Sequence, residues 1–137
     1  MEQRPLFSKD KSMARKKSTG PTEKELKILS ILWNHGPSTV RKINKVMNQD
    51  ENTGYTTTLK LMQIMYEKDL LKRDESSKTH IYLPAQSEAY VQEKVVGSML
   101  DRVFAGSTEK LVLRALSSKK VSAEELANIK KMVNQKE

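Results

Sequence analysis

Between Gly54 and Tyr66 the chain reads Gly-Tyr-Thr-Thr-Thr-Leu-Lys-Leu-Met-Gln-Ile-Met-Tyr, and wound as a helix this segment has two unlike faces. Thr56, Lys60 and Gln63 fall at i, i+4 and i+7 on one side with Thr57 beside them. Leu59, Met62 and Tyr66, joined by Leu61 and Met65, line the other. The polar set has the chemistry of a major-groove reader. Threonine hydroxyls bond phosphates or base edges and their methyls meet the thymine methyl, lysine reaches guanine acceptors, and glutamine pairs with adenine. These residues cluster at the start of the helix, where recognition helices meet bases and free backbone N–H groups hold phosphate. A solvated helix face could carry the same residues. Three consecutive threonines are poor helix formers, however, and that cost at an exposed helix start favours function.

For that face to act, the helix must be seated on a core, and the flanking sequence provides one. Thr22 followed three residues later by Glu25 is a capping box that opens a first helix. Leu26, Ile28, Leu29, Leu32 and Trp33 follow with the spacing of one helical face, and Gly36-Pro37 stops it. Ser38-Thr39-Val40 suits a very short extended segment. A second helix then sets Val40, Ile43 and Met47 on one side and Arg41, Lys42 and Lys45 on others. Turn formers fill Asn48 to Gly54, and the third helix runs from about Tyr55 to Lys68. Leu70–Asp74 and Thr79–Leu83, separated by Glu75-Ser76-Ser77-Lys78 and ended by Pro84, read as a hairpin. Helix, helix, helix, hairpin is the order of a winged helix-turn-helix over residues 21–85. Arg41 and Lys42, at the start of the second helix, are placed to touch phosphates, as are Lys78 at the hairpin tip and Lys72 and Arg73 on its first strand.

Residues 86–137 have a different character. Val95, Val96, Met99, Leu100, Val103 and Phe104 form a stripe broken at Ala105-Gly106; Leu111, Val112, Ala115 and Leu116 mark a second helix. Ser122 and Glu125 form another capping box, opening a last helix with Leu126, Ile129 and Val133 inward. Three short amphipathic helices bury too little apolar surface alone. Packing against the same region of a second chain supplies the burial, as does folding back on the winged helix; a twofold dimer is the reading favoured. The fold class expected is therefore mainly α with a small β-hairpin wing, followed by a three-helix dimerisation region.

Composition sets the bounds. The chain has 137 residues, 36% hydrophobic and 31% charged, which allows one domain and a short appendage. No apolar run approaches the roughly 20 residues that span a bilayer, and residues 1–10 lack the apolar core of a signal peptide. Cysteine is absent, which excludes disulfides, thiolate catalysis and Cys-ligated metal and suits a reducing cytoplasm. No membrane association, metal or cofactor is expected. The net charge of +8 suggests a polyanionic partner, but its distribution is uneven. Residues 1–20 hold six basic and two acidic residues, 21–85 ten and eight, and 86–137 nine and seven. Half the excess thus lies in a polar, aperiodic tail around Arg15, Lys16 and Lys17, expected to be disordered, in which Met13 is an alternative start. Net charge alone does not argue for DNA.

The motifs carry a resemblance. Pro-Thr-Glu-Lys-Glu-Leu-Lys-Ile-Leu-Ser-Ile-Leu-Trp (21–33), Gly-Pro-Ser-Thr-Val-Arg (36–41), Gly-Tyr-Thr-Thr-Thr-Leu-Lys (54–60) and His-Ile-Tyr-Leu-Pro-Ala (80–85) resemble the penicillinase-repressor family of the BlaI/MecI/CopY type. The likeness continues through Leu-Asp-Arg-Val-Phe-Ala-Gly-Ser (100–107) and Ser-Ala-Glu-Glu-Leu (122–126). It implies a homodimeric, sequence-specific transcriptional repressor with two winged helices on a near-palindromic double-stranded DNA operator. By position, Tyr55, Thr56, Thr57 and Lys60 match the start of the family's recognition helix. The resemblance also implies derepression by a protease or membrane sensor. In the antibiotic-responsive members an Asn-Phe bond is cut, where this chain has Arg114-Ala115; the cysteine pairs of the copper-responsive members have no counterpart.

Two other function classes compete with this reading. His35 and His80 lie far apart, and no phosphate-cradling glycine loop, metal-ligand spacing or Ser-His-acid arrangement accompanies them, so catalysis is not expected. A winged helix can also serve as a protein-interaction module without reading DNA sequence; steep salt dependence of DNA binding separates the two.

Overall fold

The computed structural model describes residues 20–136, so the basic tail expected over residues 1–20 lies, but for Gly20, outside the described residues. Helix α1 spans Glu23–His35 and opens on the expected box: Thr22 Oγ1 accepts from Glu25 N at 3.2 Å, and Glu25 Oε1 accepts from Thr22 N at 2.9 Å. Gly36 closes it at φ 84°, a left-handed conformation that a side chain would strain, and its N–H donates to Leu32 O at 2.8 Å. Helix α2 spans Val40–Met47, capped by Thr39, and α3 spans Tyr55–Glu67. A left-handed turn at Asp69 (φ 64°) leads into strand β1, Leu71–Asp74. Strand β2, Ile81–Pro84, returns antiparallel with Leu71 opposite Pro84 and Asp74 opposite Ile81. The short extended segment is present too: Ser38 exchanges both backbone hydrogen bonds with Tyr82, at 3.0 and 2.8 Å.

These elements close one core. Ile28, Leu29, Ile31 and Leu32 of α1 meet Val40, Ile43 and Met47 of α2, Met62 and Met65 of α3, and Leu71 and Tyr82 of the wing. Leu59, Leu61 and Tyr66, expected on the inner face of α3, are half-buried around it, as is Trp33. Ile31, which the single-face reading of α1 omits, is buried as well. A charged group joins the two ends of this arrangement. Glu25 is almost wholly buried, and besides Thr22 N it receives Lys68 Nζ at 2.8 and 3.0 Å, which ties the start of α1 to the end of α3. A buried carboxylate is tolerable only with donors of this kind. Among the described residues no helix is long and apolar enough to cross a membrane.

The chain divides into two compact units between Val95 and Val96, within helix α4, which spans Glu88–Arg102. Beyond it lie α5, Thr108–Ser118, and α6, Ala123–Gln135. The expected stripe on α4 outruns the helix: Val103 and Phe104 lie past its end, in a turn where Ala105 (φ 52°) and Gly106 (φ 77°) reverse the chain and Gly106 N donates to Leu100 O at 2.8 Å. Ser122 Oγ accepts from Glu125 N at 3.0 Å, so the Ser122 half of the second capping box forms. Nothing on α5 or α6 is buried within the single chain. Val96, Met99, Val103, Val112, Leu116, Leu126 and Val133 are all exposed, Val133 to 65%; Val95, Leu100, Phe104, Leu111 and Ile129 are partly covered. Leu113 and Met132, outside the expected set, are exposed apolar residues of the same helices.

Candidate nucleic-acid interface

Helix α3 presents the polar face read from its sequence. Thr56, Thr57, Lys60 and Gln63 are all exposed, and Tyr55, at its first position, is 44% exposed. The helix begins differently from its neighbours. Thr22, Thr39, Ser107 and Ser122 cap α1, α2, α5 and α6 with a side-chain oxygen, whereas Gly54 precedes α3 and no side chain caps it. Among the described residues, the first-turn N–H groups of Tyr55, Thr56 and Thr57 have no hydrogen-bond acceptor, the arrangement in which a helix start takes a phosphate oxygen.

The third threonine corrects the reading of the triplet. Thr58 is fully buried, and its Oγ1 accepts from Asn44 Nδ2 at 2.8 Å. Only Thr56 and Thr57 are available to a ligand. The unfavourable triplet thus has a structural component: Thr58 fastens α3 to α2. Its spacing to Met62 and Met65, four and seven residues on, already placed it on the buried face.

Four expected site residues meet in one cleft of ≈ 280 Å³: Arg41 from α2, Tyr55 and Gln63 from α3, and Lys78 from the wing tip. The Arg41 guanidinium lies 5.5 Å from the centroid of the Tyr55 ring, a cation–π contact that joins the first turns of α2 and α3. Lys42 is exposed on the first turn of α2, where its N–H donates to Thr39 Oγ1 at 3.1 Å. Thr56, Thr57 and Lys60 lie outside the cleft on the exposed face of α3. The sequence reading missed Thr39, Thr79 and His80, which line the cleft, and Ile64, which is exposed on α3. Ile64 follows Thr57 by seven residues, so helical spacing could have found it; the wing residues depend on how the hairpin folds over α3.

Electrostatics sort a nearly balanced domain into paired and unpaired charges. Lys24 and Lys27 of α1 clamp Glu51, each at 2.8 Å, and Lys27 also holds Asp50 at 2.8 Å. Hydrogen bonds from Lys24 and Lys27 lower the Glu51 pKa to about 2, and those to Asp50 and Glu51 raise that of Lys27. Lys68 is taken by Glu25. Arg73 corrects the wing assignment. Its guanidinium sits 3.9 Å from the Tyr66 ring centroid and bonds Tyr82 OH and the Glu75 carboxylate, which together raise its pKa. It fastens the wing to α3 and is not free for a phosphate. Arg41, Lys42, Lys45, Lys60, Lys72 and Lys78 remain without an acidic partner among the described residues. All six lie on α2, α3 or the wing, where Glu67 and Asp74 are likewise without a cationic partner among the described residues, so the unpaired charge there is net positive even though the domain is near neutral.

A winged helix with an uncapped, polar third helix and unpaired cations around it invites comparison with known proteins. The family model described as Penicillinase repressor matches residues 21–135. This chain belongs to the penicillinase repressor family. It is 21% identical over 105 residues to the penicillinase repressor of Bacillus licheniformis, covering 77% of this chain and 82% of that relative. It is 20% identical over 112 residues to the methicillin resistance regulatory protein MecI of Staphylococcus aureus (strain N315), covering 82% and 91%. A solved MarR family protein from Bacillus stearothermophilus aligns at a TM-score of 0.49 and 19% identity, over 84% of this chain and 71% of that one. The penicillinase repressor family consists of transcriptional repressors, so the chain is a DNA-binding regulator and not an enzyme. Arg114 and Ala115 are both exposed within α5.

Proposed function

We propose that this repressor acts in the cytoplasm as a homodimer on a near-palindromic operator, each copy setting α3 into the major groove of one half-site. The observation that carries the reading is the exposed face of Thr56, Thr57, Lys60 and Gln63, rising from an uncapped helix start. Those four side chains read base edges. Arg41, Lys42, Tyr55 and Lys78, on the neighbouring first turns and the wing tip, hold the backbone and fix the register. Dimerisation falls to the apolar side chains of α4, α5 and α6 and the turn after α4: Val95, Val96, Met99, Leu100, Val103, Phe104, Leu111, Val112, Leu116, Leu126, Ile129 and Val133. Support comes from the lack of any buried residue on α5 or α6, since such helices need a partner surface. Cutting α5, where Arg114–Ala115 is accessible, would part α6 from α4 and free the operator. The agent would be a protease or membrane sensor that accepts this bond in place of Asn-Phe.

The test is a gel-shift titration on DNA from upstream of the protein's own gene. Lys60→Ala and Thr57→Ala are each expected to weaken operator binding about tenfold while leaving the fold intact, the scale of a lost base contact. Unchanged binding by both would remove α3 from the recognition role.

A further inference from the structure

The polar cluster between α2 and α3 has a geometry that packing alone does not require. Asn44 donates from Nδ2 to Thr53 O at 2.8 Å and to Thr58 Oγ1 at 2.8 Å, while its Oδ1 accepts from Asn48 Nδ2 at 3.2 Å. Asn48 Oδ1 in turn accepts from Thr53 N at 2.7 Å. The circuit closes through both asparagines, the backbone of the turn and the first buried side chain of α3. Thr53 O can only accept, so the amide nitrogen of Asn44 must face it, and the side chain has one productive orientation. Thr58 is fully buried and Thr53 nearly so, which removes water as a substitute partner for either.

Placement gives the circuit its consequence. Asn44 lies one turn beyond Arg41 and two residues beyond Lys42 on α2; Thr58 directly follows Thr56 and Thr57 on α3. One side chain therefore connects the turn that would hold phosphate to the turn that would read bases. The apolar core around these helices includes three methionines, Met47, Met62 and Met65, fully buried alongside Ile43. Methionine adapts to small shifts and specifies position poorly. The directional bonds of Asn44, together with the Arg41–Tyr55 contact, constrain the rotation and advance of α3 against α2.

We propose that Asn44 is a positioning residue for sequence reading: through Thr58 and Thr53 it fixes the register between the phosphate-holding start of α2 and the base-reading start of α3. The role rests on the proposed operator function and adds to it, since Asn44 itself touches no DNA. Loss of the circuit loosens base reading while leaving the cations in place, so discrimination falls and general DNA affinity stays.

The experiment measures fluorescence anisotropy of the full chain on two labelled duplexes: the region upstream of its own gene, and a scrambled duplex of equal length and composition. The variants are Thr58→Val, which keeps the shape but removes the acceptor, Thr58→Ser, which keeps the hydroxyl, and Asn44→Asp, which removes both amide donors. Circular dichroism of each variant reads folding separately. Thr58→Val and Asn44→Asp are expected to lower the upstream-to-scrambled affinity ratio about tenfold with helicity retained, and Thr58→Val, which adds no charge, to leave scrambled binding within about twofold of wild type. Thr58→Ser is expected to restore most of the ratio. A ratio unchanged in Thr58→Val and Asn44→Asp would overturn the proposal. So would parallel loss on both duplexes with loss of helicity, which a purely structural bond produces. Wild-type protein that bound both duplexes equally would instead overturn operator reading by α3, and the positioning role with it.

Discussion

The two units of this repressor contain similar kinds of residues and use them in opposite ways. Up to β2 the apolar side chains converge: eleven residues from α1, α2, α3 and the wing share one buried cluster. From Val96 onward they do not, and Val103, Met132 and Val133 are each more than three-fifths exposed. Apolar residues on α5 and α6 keep helical spacing and good caps, so the helices are well specified locally. What they lack is a surface to pack on. The first region is stabilised by its own core; in the reading proposed here, the second is an interface. In a short chain of lean hydrophobic content, the same apolar periodicity can specify a closed core or leave a face exposed, which we propose is a docking face. Only the three-dimensional account of burial distinguishes them.

Placing a charge on the exposed apolar face should produce the largest effect. Leu116→Asp and Met99→Asp are expected to dissociate the dimer and reduce operator affinity by about 10²-fold or more, because a lone half-site loses the effective concentration of its twin. The melting transition of the winged helix should be retained. Sedimentation and gel shift on the same preparations check both halves of this expectation. Met62→Ala is the converse. It opens a cavity in the closed core and should destabilise the winged helix by about 2–5 kcal/mol in chemical denaturation, with the oligomeric state preserved under native conditions. If Met62→Ala disrupted assembly as strongly as Leu116→Asp, the two regions would not be separable in the way proposed.

The smallest effect is an acid-linked one confined to the first region. Glu51 has its pKa lowered from 4.5 to about 2 by hydrogen bonds from Lys24 and Lys27. A depressed carboxylate contributes stability that is fully present above its unfolded pKa, near 4.5, and is lost as pH falls through about 2. Glu51→Gln should therefore flatten part of the acid limb of winged-helix stability between those values and leave a constant offset above about pH 5.5. The pair is exposed, so the change is small. An acid limb identical in wild type and variant would show that the clamp contributes nothing.

Much of the first region was legible in the sequence because its signals are local. Thr22 and Glu25 marked the start of α1, Gly36-Pro37 its end, and Pro84 the end of the wing. The polar face of α3 followed from spacing alone. What escaped depends on partners far away in the chain. Lys24 and Lys27 find Asp50 and Glu51 across more than twenty residues, and Arg73 turns from solvent to stack on Tyr66, so a near-neutral charge count concealed a set of unpaired cations. Thr58 was hidden by its neighbours: three identical residues have one composition but two roles, and although spacing to Met62 and Met65 sets Thr58 on the buried face, its bond to α2 depends on a donor at Asn44 fourteen residues away. The end of the α4 stripe was overrun because Val103 and Phe104 keep helical spacing through a turn that Ala105 and Gly106 have already begun to reverse.

In the reading proposed here, an independently packed winged helix is paired through a region that completes itself only with a second copy. Sedimentation velocity of the full chain at micromolar concentration, alone and with a duplex from upstream of its own gene, decides whether that pairing exists. A dimer in both conditions, forming a complex of two chains per duplex, is the predicted result. A monomer alone and a single chain per duplex would contradict the account.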